Sequence, residues 1–571
     1  RKGIPGYSDD LQRILSSFIT SNARRIAANY HAAPVEQLIT DIGNNDVQQE
    51  AQKVFEFFQG SGDPGSWFRS FAAHLRLLGS PMTAAINGTQ VFTSTFPELV
   101  KHGATTTEAL GRIIRAYRDS FKKDPARMTA DEEWAIAKGV KDGTIDSAEI
   151  FHLYGMGTQT LIDKIPGGRR IKRSSAAALR ARGMMFAWTE KLNRHVTVLS
   201  AFRMFRDQGM NREDAYLKAR EVADVTQGRY GKENRPNLGR NPIAGAMLTF
   251  MQYKIMTLEQ IIRNARGNRQ AKKAAALQIL VLLMLGGLGG VPFAEDAMDL
   301  LDIIMQTLFG RAWLTRDKLK KAVRNMGEAA AGALVNEEAG KMFGRFASEV
   351  FDKGISGLPG MPMDVSGRYK VGGTIPGLKV LKPSTKFRES AVLDMFGVPG
   401  GMIDDAVRAI GLALDGEPWR GAKLWLPSDV QNYLKGADIA ATGKIKDSAG
   451  RTITEGDMLD ASLQILGAQP RAKTVITSPL WEKKELLHLT QKTESDFVRR
   501  YAEARADGDE AAFNAVRAEQ DAWNKNNPDW PIKITQMQIR KAMMDMNMTT
   551  EQRQIRMTPR EARKNFAPEV Q

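Results

Sequence analysis

Apolar residues recur along most of this chain at the spacing of a helix surface. In YSDDLQRILSSFITSNARRIAANYH the polar start Ser8-Asp9-Asp10 suits an N-cap, and Leu11, Ile14, Leu15 and Phe18 follow at i, i+3, i+4 and i+7. The signature returns in VQQEAQKVFEFFQ, ALGRIIRAYRDSFKK, NREDAYLKAREVAD, KLKKAVRNMGEAAAGAL and nearly all of residues 482–522. Period-2 alternation is scarce. Residues 354–386 are crowded with Gly and Pro, which prevent long helices and predict an extended strap with at most one short hairpin. A second break, GRYGKENRPNLGRNP, separates helical material ending near Gln227 from an apolar helix beginning near Ile243. In a third, ATGKIKDSAGRTITE, Asp447, Ser448 and Gly450 fit a tight turn between two short arms. The fold class expected is therefore all-α, a multi-helix assembly joined by Gly/Pro-rich straps. Its punctuation marks an N-terminal helical region (1–165), a basic helical segment and linker (166–240), an apolar helical hairpin region (241–353), the strap (354–390), a small helical and turn region (391–480) and charged C-terminal helices (481–571).

Composition narrows the chemistry. The 571 residues can hold about four domains' worth of core. Cysteine is absent, which excludes disulfides, thiolate zinc sites, iron–sulfur clusters and cysteine nucleophiles. Hydrophobic residues at 42% with 26% charged are those of a folded chain. Lys and Arg exceed Asp and Glu by 81 − 65 = 16, which points to nucleic acid, anionic lipid or an acidic protein surface as partner. The opening RKGIPGYSDD starts at Arg1 and has no secretory-signal pattern; it reads as an internal cut from something longer.

One segment departs from soluble-protein statistics. Residues 274–293, AAALQILVLLMLGGLGGVPF, carry no formal charge. About twenty helical residues span roughly 30 Å, the thickness of a hydrocarbon core. Arg269, Lys272 and Lys273 precede the run, and Glu295 and Asp296 follow it. Leu277, Leu280, Leu282, Leu283 and Leu285 are its candidate membrane contacts, and Gly286 and Gly290 form a G-x-x-x-G pair that permits close approach of a second helix. The four glycines and Pro292 shorten the good helix to about residues 274–285, so a buried helix of a large domain fits equally. Both readings hold together if the protein changes state. The next helix, FAEDAMDLLDIIMQTLFG, sets Glu295, Asp296, Asp299 and Asp302 against Leu300, Leu301, Ile304 and Leu308 as an amphipathic partner. Its Gly-Val-Pro entry is echoed in FGVPGGMIDDAVRAIGLAL, a similarity that two Pro-initiated helices reach by chance.

The basic stretch GGRRIKRSSAAALRARG holds Arg169, Arg170, Lys172, Arg173, Arg180 and Arg182, candidate contacts for a DNA backbone or an anionic lipid surface. The bland reading is a solvated loop. No helix-turn-helix, RNP or zinc-finger pattern accompanies it, so any DNA contact is sequence-independent. Further cations cluster at Lys122, Lys123 and Arg127 and over residues 553–564. No motif specifies a reaction. The six histidines are scattered without metal-ligand spacing, and no cofactor fingerprint is present. Glu190 beside His195 could do acid–base work, but a helix-surface pair accounts for it. The expectation is a non-enzyme without a cofactor.

Three stretches together carry a resemblance. They are NPIAGAMLTFMQYKIMTLEQIIRN running into GGVPFAEDAMDLLDII, then DMFGVPGGMIDDAVRAI with YLKGADIAATGKIKDSAGRTITEGDMLDASLQILGAQPRAKT, and last NAVRAEQDAWNKNNPDWPIKITQMQIRKAM. Their order, over residues 241–543, resembles the C-terminal portion of large internal virion (ejection) proteins of short-tailed phages and is similar to the phage large polyvalent protein-associated domains. The resemblance implies a homo-oligomeric protein packed in the virion interior near the portal, with other ejection proteins and phage DNA as partners. It implies expulsion into the host envelope to build a conduit at the inner membrane, and no catalytic residue is carried over. Local helical contacts and the lack of cross-links suit a chain that must unfold, pass a narrow tail and refold. The alternatives are a virion-associated peptidoglycan hydrolase or nucleic-acid enzyme with an unrecognised site, and a portal or tail adaptor retained in the particle.

Overall fold

The computed structural model describes residues 32–59, 79–122, 128–145, 168–227, 252–369, 397–447 and 450–546, with a few single positions besides. In chain order the helices are α1 (Asn45–Gln59), α2 (Pro81–Gly88), α3 (Phe96–Lys101), α4 (Thr106–Lys122), α5 (Ala130–Lys141), α6 (Gly168–Asp207), α7 (Arg212–Thr226), α8 (Gln252–Ala265), α9 (Arg269–Gly286), α10 (Ala294–Thr307), α11 (Thr315–Leu334) and α12 (Glu337–Lys353). There follow α13 (Gly397–Leu414), α14 (Pro418–Leu424), α15 (Ser428–Thr442), α16 (Met458–Ile465), α17 (Arg471–Ala506), α18 (Glu510–Asn526) and α19 (Gln536–Met546). Strands among the described residues are short and form two two-stranded sheets, so the protein is all-α. A hairpin of β1 (Lys444–Lys446) with β2 (Thr452–Glu455) falls on the turn read at Asp447 and Gly450. The segment 7–31 lies almost wholly outside the described residues, as do the break at 228–251, most of the strap beyond Tyr369 and residues 549–571.

Contacts divide the chain into two discontinuous compact units. Unit 1 holds residues 1–284, 393–443 and 456–469; unit 2 holds residues 285–392, 444–455 and 470–571. The sequence punctuation marks straps, whereas packing gathers helices distant in the chain.

Unit 1 is built around the C-terminal half of α6. Val196, Leu199, Phe202 and Phe205 are buried there with Leu99, Ile113, Ala135, Tyr216 and Ala219 of the surrounding helices. Local signals start those helices. Thr105 and Glu108 exchange backbone and side-chain hydrogen bonds at the entrance to α4, and Thr129 and Glu132 do the same for α5. Glu132 also holds Arg203 of α6 at 2.7 Å, tying a cap to the central helix. The backbone of residues 168–182 is helical and opens α6, so the basic stretch is no loop. Its Ala and Arg are strong helix formers.

Unit 2 contains a helical hairpin whose two arms nearly touch. A Cβ added to Gly344 of α12 would meet the backbone of Arg324 and Glu328 in α11, and one on Gly340 would meet Glu328 and Gly332. A small-residue contact between helices therefore lies in GKMFG, another G-x-x-x-G spacing. Helix α10 is amphipathic as expected, but its polar side is the buried one. Asp302 accepts from the backbone N of Thr315 at 2.6 Å and so caps α11, while Leu300, Leu301 and Leu308 are exposed. A second core gathers Phe497, Tyr501, Val516, Trp523, Ile532 and Ile539 from α17, α18, α19 and the segment between the last two.

Candidate functional site

Helix α9 carries the uncharged run. Asn268 caps it by accepting from Ala271 N at 2.9 Å, and Gly287, at φ +64, lets the chain turn out of it. The region 269–308 contains a window long and apolar enough to cross a membrane, half of it buried. The burial is one-sided. Arg269, Lys272, Lys273, Ala276, Leu280 and Met284 are exposed and follow one another at helical spacing, forming a ridge with a cationic head and an apolar tail. Leu280 is 50% and Met284 56% exposed. Opposite them Ala274, Ala275, Gln278 and Leu282 are buried, and Leu277 and Val281 pack on the unit 1 core.

The seven membrane-contact candidates thus fall into three settings. Leu280 sits on the ridge; Leu277, Leu283 and Leu285 are half-buried; Leu282, Gly286 and Gly290 are buried. Close approach occurs at Gly286, the first of the glycine pair, and at its neighbour Gly287. Gly286 faces Tyr369, and Gly287 lies against the Asp352–Lys353 backbone at the end of α12. Met284 belongs to the ridge and escaped the sequence reading, because an all-apolar run does not reveal which face is outward. The side chains of Arg169, Arg170, Lys172, Arg173, Arg180 and Arg182 lie outside the described residues.

Behind α9 lies a buried polar cluster. Gln278 donates to Gln260 Oε1 at 2.9 Å, and Gln260 donates to Ser94 O and to Glu98 Oε2, each at 3.1 Å. Asn264 Nδ2 reaches the same carboxylate oxygen at 3.4 Å, while Lys101 holds Glu98 Oε1 at 2.5 Å. Burial by itself would raise the Glu98 pKa; hydrogen bonds from His102, Lys101 and Gln260 outweigh it and bring it to about 2. Asn264 Oδ1 and Gln278 Oε1 are buried without a hydrogen-bond partner among the described residues.

Glu190 and His195 do not form a helix-surface pair. Five residues at 100° each place them about 140° apart around α6. Glu190 is buried against Arg194 and Asn87, whereas His195 Nδ1 meets Ser120 Oγ at 2.7 Å. Burial pushes the imidazole down to about 4, with the positive charges of Lys191 and Arg203 adding to it. The unfolded imidazole titrates near 6.5 and takes up its proton first, so unit 1 should lose about 2–3 kcal/mol as pH falls from 6.5 towards 4. Glu98, depressed instead, contributes stability above about 4.5 that is lost towards pH 2. The His195→Gln variant should flatten the upper slope in urea midpoints measured across pH; an unchanged slope would assign it to other groups.

Unit 2 holds a charged cluster. Asp352 accepts from Arg316 at 2.6 Å and pairs with Lys320 at 3.4 Å; Lys320 also faces Glu482 at 3.9 Å, and Arg316 faces Glu295 at 3.5 Å. Burial raises Glu482, while at Asp352 the Arg316 and Lys320 charges prevail over burial and lower it. The two carboxylates are pushed apart in acidity, as acid–base pairs are, but the cations that achieve it occupy Asp352. No group of three metal-ligating side chains occurs among the described residues. No protein-family model, curated protein or solved structure matches the chain.

Proposed function

We propose that this chain is a structural part of a short-tailed phage ejection protein, acting in an oligomeric conduit for genome delivery, with α9 as its contact to the host inner membrane. The observation that carries the reading is the α9 ridge. Three exposed cations followed by exposed Ala276, Leu280 and Met284 match an anionic interface, with the cations among headgroups and the apolar tail in the acyl region. The outward Leu300 and Leu301 of α10 and Leu308 just past its end add apolar surface of the kind that assembly or lipid covers. The basic start of α6 is assigned to sequence-independent contact with packaged DNA.

Dye release from vesicles of phosphatidylethanolamine and phosphatidylglycerol tests the ridge. Leu280→Lys with Met284→Lys places two charges on exposed positions, so the fold is spared while lipid contact is opposed. Release should fall at least fivefold; release equal to wild type would end the assignment of α9. Virions compared before and after triggered ejection test the role, because a chain retained in emptied particles is an adaptor and not an ejection protein. The enzyme reading has one specific place, the Asp352–Glu482 cluster. Turnover of peptidoglycan abolished by Glu482→Gln would establish it and displace the structural role.

A further inference from the structure

Between Lys273 and Glu295 the chain carries a single polar side chain, Gln278. In a helix meant only for a protein core, or only for lipid, an apolar residue would serve better there, since an amide needs partners wherever it is buried. Its position decides its use. Gln278 is 0% exposed on the inner face of α9, opposite the ridge, and its side-chain amide donates to Gln260 of α8. Gln260 in turn is fixed at both Ser94 and the buried Glu98 carboxylate. The relay therefore fastens the middle of the apolar run to the interior of unit 1 through side chains from α9, α8 and α3. It is also incompletely satisfied, because the Gln278 and Asn264 side-chain carbonyl oxygens have no hydrogen-bond partner among the described residues. A half-satisfied buried network holds less firmly than a complete one.

We infer that Gln278, through Gln260 and Glu98, is a latch that keeps α9 docked by its inner face and limits how deeply the helix enters lipid. The inference rests on α9 meeting the membrane. It adds a regulation: ridge contact at the surface comes first, and the helix enters the bilayer only when the Gln278 bond yields. Opening costs twice over, through the lost hydrogen bond and through the amide carried into lipid, so removing the amide removes both barriers.

The full chain has no cysteine, so Ala276→Cys on the exposed ridge gives a single labelling site. A fluorophore there, with quenchers fixed either at the headgroup or at the bilayer centre of phosphatidylethanolamine–phosphatidylglycerol vesicles, reports depth. The parent should be quenched chiefly from the headgroup. Gln278→Leu should raise quenching from the bilayer centre at least fivefold at the same lipid concentration, and Gln278→Met, closer in shape, should do the same. Gln270→Leu is the comparison that separates a latch from general loosening. Gln270 also ties α9 to its surroundings, at Val100 O and 2.8 Å, but it lies outside the apolar run, and its loss should leave depth unchanged. Equal depth for Gln278→Leu, Gln278→Met and the parent, with headgroup quenching intact, would overturn the latch and leave the membrane contact standing. Equal deepening by Gln270→Leu would also overturn it. No quenching from either depth in any variant would overturn it together with the membrane reading itself.

Discussion

Replacing Arg194 by alanine should destabilise unit 1 by about 3–5 kcal/mol, because it strands a buried charge. Arg194 is 1% exposed in the middle of α6. Its Nε donates to Glu190 Oε1 at 3.3 Å, and its two terminal nitrogens donate to Thr144 O at 3.3 Å and Gln227 O at 3.5 Å. Truncation leaves the Glu190 carboxylate, itself 1% exposed, with the Asn87 amide and no cation among the described residues, and takes the guanidinium donors from both carbonyls. The pair need not be stabilising for its breakage to be costly. Arg194→Met with Glu190→Leu should recover more than half of the loss, since the desolvated charge then disappears with its partner. Hydrogen exchange along α6, read against urea, separates the outcomes. A change under about 1 kcal/mol for Arg194→Ala would mean water reaches the site and the burial described is wrong.

This arrangement shows what the sequence conceals. Helices α4, α7 and α11 form where the helical spacing places them, and the β1–β2 turn follows Asp447 and Gly450, because those signals are local. Glu190, Asn193, Arg194, Thr197 and Ser200 are polar residues at helical spacing, yet all are buried. Whether a polar residue faces water depends on the partners that distant helices bring. Here Thr95 of the turn before α3 bonds Thr197 at 2.8 Å, and Gln227, just past α7, donates to both. In α10 a local pattern was present but its direction was not, since Asp302 is drawn inward by the start of α11. The candidate site is legible in the same partial way. The uncharged length of α9 is plain, whereas the ridge of Leu280 and Met284 and the relay behind Gln278 exist only once α8 and the core choose a face.

The glycine after α9 should prove the least replaceable residue of unit 2. Gly287 adopts φ +64, which an L side chain takes up only with strain. A Cβ there would also overlap the carbonyl of Asp352 and the backbone N of Lys353, where no flexible side chain can give way. Gly287→Ala must therefore shift the end of α12, and with it the Asp352 carboxylate that Arg316 and Lys320 hold. Strain and overpacking together should cost about 3 kcal/mol or more, added to the weakening of that charged cluster. Gly332→Ala in α11 is the contrasting change. Its new methyl would come no closer than 3.9 Å to Gly340, and helix propensity favours alanine by about 0.5–1 kcal/mol. Hydrogen exchange at the C-terminal turn of α12 should rise sharply in the first variant and stay level in the second. If Gly287→Ala exchanges like the parent, the chain leaves α9 by another route than the left-handed turn, and the close seat of this turn on α12 does not exist in solution.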